Sequence, residues 1–233
     1  MRKRGPIEIT GDAFKALAKN WIILIPGISV FLSLFGGIFL VDYLSTIVDN
    51  FSLLIILWVI LVIAMIFAVL YFGLGALGLA KEIAEKRKAK WKHVNQYWKK
   101  FWVRYLGVTL IIILVFISIA AVVYLLSLLI RILGGEIAFI AALLILGVIG
   151  ALIGLLFMLP PYMLLINNKS IIDAIKQSVK VSKKNYLSLL GVIVIFFVLS
   201  LALSFVPYLG NLFSVIIGAT EGIALMMFAL ERK

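Results

Sequence analysis

Hydrophobic positions in this chain form long unbroken runs, several of them introduced by shorter stretches where apolar and polar residues alternate at helical spacing. The clearest junction lies between Asn167 and Val206. Over Ser170 to Lys184 the pattern predicts a helix with Ile171, Ile172, Ile175, Ser178 and Val179 on one face. Asp173, Lys176, Gln177, Lys180, Lys183 and Lys184 fall on the other. Ser170 is placed to cap its start, with Asp173 three residues on. Asn185-Tyr186 then opens an apolar run of about 20 residues, long enough to cross a bilayer. The unit reads as a cationic helix on the membrane surface leading into one that dives through it.

The same pattern occurs twice more. Thr10 to Asn20 places Phe14, Leu17, Ala18 and then Trp21 on one face, and runs into the apolar stretch that begins at Trp21-Ile22. Aligning Asp12-Ala13-Phe14-Lys15 with Asp173-Ala174-Ile175-Lys176 leaves the later copy about one helical turn longer before its Asn-aromatic pair. In the middle, Trp91 to Val103 sets Trp91, Val94, Trp98, Phe101, Trp102 and Tyr105 along one side. The chain therefore reads as one integral membrane domain, 1–233, of three tandem units over about 8–80, 91–166 and 170–230. Each unit is an amphipathic interfacial helix followed by a transmembrane hairpin.

Composition changes this picture only by securing it. Hydrophobic residues make up 65% and charged ones 14%, which no soluble domain of 233 residues could bury. The fold class is an all-α membrane protein of six transmembrane helices, drawn at 21–41, 53–80, 105–130, 137–166, 186–206 and 210–230. Of the 22 Lys and Arg residues, all but Arg131 fall on the side that holds both termini and the 81–104 and 167–185 segments. By the positive-inside rule both termini are cytoplasmic, in a multi-pass protein of the cell membrane. The loops on the other face are short: 42–52, the Gly-Gly turn between Arg131 and Glu136, and Pro207-Tyr208-Leu209. The Arg-Lys-Arg start lacks the pattern of a cleaved signal peptide.

Charge suggests the partners. The segment KEIAEKRKAKWK is expected to continue the second transmembrane helix into the cytosol, with Lys86, Arg87, Lys88, Lys90 and Lys92 clustered beside the membrane. Such clusters attract anionic lipid head groups, though they also serve simply to enforce topology. Trp91, Trp98 and Trp102 suit the head-group belt. The net charge of +12 is spread along one membrane face, so nucleic-acid binding is not expected. A second copy of the chain or a membrane partner protein stays open.

Candidate chemistry is sparse. Without cysteine and with His93 alone, thiolate and multi-histidine metal sites are excluded, and no cofactor is expected. No catalytic motif is present, so the expectation is not an enzyme. Pro160-Pro161, followed by Tyr162 and Asn167, should break the fourth helix and free backbone carbonyls at membrane depth. Gly147, Gly150, Ala151 and Gly154 make a smooth stripe upstream, suited to close helix packing. In the sixth helix, Thr220 and Glu221 sit near mid-bilayer, flanked by Gly218 and Gly222. A carboxylate at that depth is costly unless paired, hydrogen-bonded or protonated. Either Glu221 meets a proton, cation or substrate head group, or it bonds to Tyr162, Asn167, a serine or the carbonyls near Pro160.

The segment from Leu159 to Ile195 resembles a broad group of six-helix bacterial and archaeal membrane proteins of unknown function. They are related to the membrane domain of some glycerophosphoryl diester phosphodiesterases. The resemblance is carried by Pro160 or Pro161, Asn167-Asn168, and Ala174 with Ser178. An acidic residue expected near Asn167-Asn168 is missing, as is any phosphodiesterase catalytic domain. The resemblance implies a fold, not an activity. The residues themselves suggest a protein that binds or moves a lipid or small amphiphile through a cytosol-facing cavity roofed by the surface helices. The alternative is a non-transporting accessory or membrane-sensing protein that scaffolds a partner.

Overall fold

In the computed structural model, residues 4–48, 50–205 and 210–232 are described, and among them all regular structure is helical. The turn expected at Pro207-Tyr208-Leu209, Asp49 and the first three residues lie outside the described residues. The helices are α1 (Pro6–Lys19), α2 (Leu24–Ile47), α3 (Phe51–Ala84) and α4 (Lys92–Gly154), then α5 (Pro160–Asn167), α6 (Ile171–Lys184), α7 (Tyr186–Ser204) and α8 (Gly210–Arg232). Short 3₁₀ turns at Trp21–Ile23 and Leu155–Phe157 precede α2 and α5.

Among the described residues, five stretches are long and apolar enough to cross a membrane: Trp21–Ile47, Phe51–Ala84, Lys92–Asn167, Tyr186–Ser204 and Phe213–Arg232. Large apolar side chains such as Phe39, Ile60, Leu114 and Phe197 stand exposed along them. Such surface suits hydrocarbon and not water. The chain is an all-helical membrane protein.

The expected third and fourth spans both lie in α4, which is kinked at Gly135, whose φ is 75°. That left-handed backbone is one glycine adopts at no steric cost. A Cβ built on Gly150 would lie 2.8 Å from Ile119, and one on Gly154 would lie 2.7 Å from Phe116. Partner numbers fall as position rises, so the two arms run antiparallel about Gly134-Gly135. Arg131 and Glu136 pair across the bend. The glycine stripe divides: Gly150 and Gly154 are buried against the other arm, whereas Gly147 and Ala151 are exposed.

By contact the chain divides into two compact units. The first holds residues 4–102 and 192–227. Here α2 and α3 form a hairpin in which Gly37 admits Met65. Phe14 of α1 stacks on Phe196 of α7 at 6.2 Å. The start of α4 crosses α3 where Gly75 and Gly78 leave room for Val94 and the Tyr97 ring. The Tyr97 hydroxyl donates to Glu82 at 2.7 Å and Tyr71 bonds Asn95.

These contacts explain one correction. The second long helix does not extend through the KEIAEKRKAKWK segment: α3 stops at Ala84. Lys86 takes a left-handed conformation (φ 59°), and its N–H and that of Arg87 return to the carbonyls of Ile83 and Glu82. This is a Schellman close with lysine where glycine is usual. Arg87, within 3.2 Å of Glu85 and 4.0 Å of Glu82, draws the basic run back toward the helix end.

The second unit holds residues 103–191 and 228–232. Its centre is the break that Pro160 imposes. Helical hydrogen bonding gives way to the Leu155–Phe157 turn, and α5 restarts with proline in its first turn. Proline at 160 cannot donate to the Leu156 carbonyl four residues back. The Ser178 hydroxyl of α6 donates to that carbonyl instead, at 3.0 Å. Tyr186 at the start of α7 donates to the Leu152 carbonyl at 2.8 Å. Asn168 ends α5 in a left-handed cap, which Arg104 grips through Asn168 Oδ1 at 3.1 Å. The helix α6 is thus held over the break by hydrogen bonds as well as by packing.

Candidate functional site

The first candidate region grows from the cap of α3. Because the chain turns back at Lys86, the side chains of Lys86, Arg87 and Lys88 meet the polar face of α1 around a cavity of about 680 Å³. From α1 and its lead-in come Arg4, Lys15 and Lys19, with Arg4 paired to Asp12. Ile83 and Met227 give the cavity an apolar side. Six cations against one carboxylate make it a basin for anionic groups, with apolar atoms beside them. Of the basic cluster expected from sequence, Lys90 and Lys92 do not line this cavity. Nor do the tryptophans: Trp98 lies between Tyr71 and Trp102 at centroid distances of 5.2 and 5.9 Å. Trp91 and Trp102 keep more than a third of their surface exposed, consistent with an anchoring belt.

The second region is Thr220-Glu221. Thr220 is fully buried and donates to the Ile216 carbonyl of its own helix at 2.7 Å. Glu221 is half-buried, just before the buried run Ile223 to Ala229. Among the described residues its carboxylate has no hydrogen bond or ion pair. Two of the polar groups expected near it are engaged elsewhere. Asn167 donates to Gln177 at 3.0 Å, and the freed Leu156 carbonyl belongs to Ser178. Tyr162 is buried within α5. Gly218 and Gly222 have no atom within 4 Å of where a Cβ would stand, so they leave space beside Glu221 and form no packing seam.

At the Pro160-Pro161 break a neighbouring donor, Ser178, reaches the Leu156 carbonyl that Pro160 frees. Two residues escaped the sequence reading. Ser178 was counted with an apolar face, although it answers the proline break, and the signal was a serine able to reach the carbonyl four residues before Pro160. Arg232 was counted only as an inner-face charge. Its side chain is 2% exposed, with the guanidinium 4.1 Å from the centroid of the Phe228 ring, and a basic residue in the last turn of the last helix was the available sign. No family model matches the chain, and comparison with curated proteins and with solved structures likewise finds no significant match.

Proposed function

We propose that this chain is a non-enzymatic, multi-pass membrane protein that binds or moves a lipid or small amphiphile through a cavity on its cytosolic face. The observation that carries the reading is the basin of about 680 Å³ in which Lys86, Arg87 and Lys88 face Lys15 and Lys19 beside the apolar Ile83 and Met227. A phospholipid presents the complementary pair of features, an anionic head and an apolar tail. Counting the two antiparallel arms of α4 separately gives six spans, and the positive-inside rule puts both termini in the cytoplasm of a cell-membrane protein. This reading arranges the spans as three units of surface helix plus hairpin, and takes the Leu159–Ile195 resemblance as kinship with the six-helix group. Glu221, half-buried and beside open glycine positions, is the polar point that a head group or proton would meet within the span.

Purification followed by mass spectrometry of the bound lipids is the test, together with lipid flux across reconstituted vesicles. Stoichiometric anionic lipid and measurable flux are expected. Lipid-free protein with flat flux would remove this reading and leave the scaffolding role.

A further inference from the structure

The helices α1 and α6 are both 14 residues long. Matching them end to end sets Pro6 opposite Ile171 and Lys19 opposite Lys184, a shift of 165 residues. With that shift, Asn20 and Asn185 both end their helix in the same way: each side-chain amide donates to the carbonyl four residues back, at 3.0 and 2.9 Å. An aromatic, Trp21 or Tyr186, follows each. The basin on α1 then has a counterpart on α6, a cavity of about 450 Å³. Arg4, Asp12, Lys15, Ala16 and Lys19 line the one, and their equivalents Lys169, Gln177, Lys180, Val181 and Lys184 line the other.

The two basins differ in their second wall. The end of α3 supplies it on α1, whereas on α6 it is Arg232 at the end of α8. Lys176 adds a further charge from α6. Its one carboxylate, Asp173, accepts from Ser170 at 2.7 Å at the helix start, where negative charge is favoured. Five cations remain around one cavity. Arg232 differs from the lysines in being buried, stacked on Phe228 and next to Glu231 at 3.4 Å, so its planar fork is already ordered. A guanidinium held in place among several ammonium groups is the arrangement that recognises phosphate oxygens.

We infer that the α6 basin, walled by Arg232, Lys176, Lys180 and Lys184, is a second binding site for a phosphate group, that of an anionic membrane lipid. The inference deepens the lipid-binding reading and rests on it for the source of the phosphate, but not for the chemistry of the site. The test uses the full chain in detergent, titrated with phosphatidic acid, phosphatidylcholine and inorganic phosphate while native mass spectrometry follows occupancy. The wild type should take up two phosphatidic acids in preference to phosphatidylcholine. Arg232→Gln should weaken one of them about tenfold, the loss of one charge-assisted contact. Should Arg232→Gln fail to fold, the double variant Lys176→Gln/Lys180→Gln, at two exposed positions, carries the same expectation. Lys15→Gln/Lys19→Gln should weaken the other lipid and spare this one. Folded α6 variants that bind phosphatidic acid as the wild type does would overturn the site. Inorganic phosphate that occupies the α6 basin, lost in the α6 variants, while phosphatidic acid does not bind there would uphold the phosphate chemistry and overturn the lipid source.

Discussion

The helices α1 and α6 share length, C-terminal asparagine cap and cationic face, yet they differ in what they bury at equivalent positions. Under α1 lie Ile9, Thr10, Ala13 and Leu17, joined by the stacking of Phe14 on Phe196. At the equivalent positions α6 buries Ala174, Ser178 and Ser182. The neighbour decides. Beneath α6 runs a helix broken by proline, which offers the Leu156 carbonyl and requires a donor. Among the described residues no side chain of the buried face of α1 answers such a carbonyl, and its one buried hydroxyl, that of Thr10, has no hydrogen-bond partner. The two helices thus keep a cationic face and an asparagine C-cap, while the inner face differs with what each covers.

The largest test of that contrast is Ile9→Ala. Ile9 is fully buried, and its removal should lower stability by about 2–4 kcal/mol, read as a fall in the thermal midpoint of the purified protein. The equivalent α6 position is already Ala174, so the same loss has no counterpart there. Next in size is an exchange at one equivalent pair. Ser178→Ala should leave the Leu156 carbonyl without its donor and cost about 1–3 kcal/mol. Ala13→Ser brings a hydroxyl that can turn to its own helix carbonyls, and should cost less. Equal effects from the two would remove the distinction drawn between the faces.

Smaller effects concern what the copies share. Asn20→Ala and Asn185→Ala each delete one amide-to-carbonyl bond at a helix end, and each should cost about 0.5–1.5 kcal/mol. A cost at one and none at the other would argue against a common cap. The smallest effect is expected at Glu221. With no partner to strand among the described residues, Glu221→Leu should leave the thermal midpoint unchanged or raised, although lipid flux should fall. A loss of stability there would reveal a partner.

Much of the helical organisation was legible because it is written locally. Ser170 and Lys184 bracket α6 as read from capping and periodicity, and the apolar runs appear as long helices. The start of α1 was missed: Pro6 in its first turn and the Glu8 carboxylate bonded to the Gly5 N–H lie upstream of Thr10, where the helix was drawn. That omission made α6 look one turn longer and set Asp12 against Asp173, when its equivalent is Gln177. The buried face of α6 was not legible. Periodicity favoured Ile171, Ile172, Ile175 and Val179, but Ile172 stays 62% exposed, as suits a side chain facing lipid. Burial of Ser178 answers the Leu156 carbonyl, far away in sequence, which no local pattern encodes. Basins at the two cationic faces were equally hidden, since they depend on where α3 ends and where Arg232 lies.

The central claim is that α1 and α6 are equivalent helices lying at the head-group level with their lysines outward. Spin labels at the equivalent exposed positions Lys15 and Lys180, in the full chain reconstituted in vesicles, test it by their relative accessibility to oxygen and to a water-soluble relaxation agent. The account predicts head-group depth for both labels and the same depth for each. A label tumbling freely in water, or the two at clearly different depths, would contradict it.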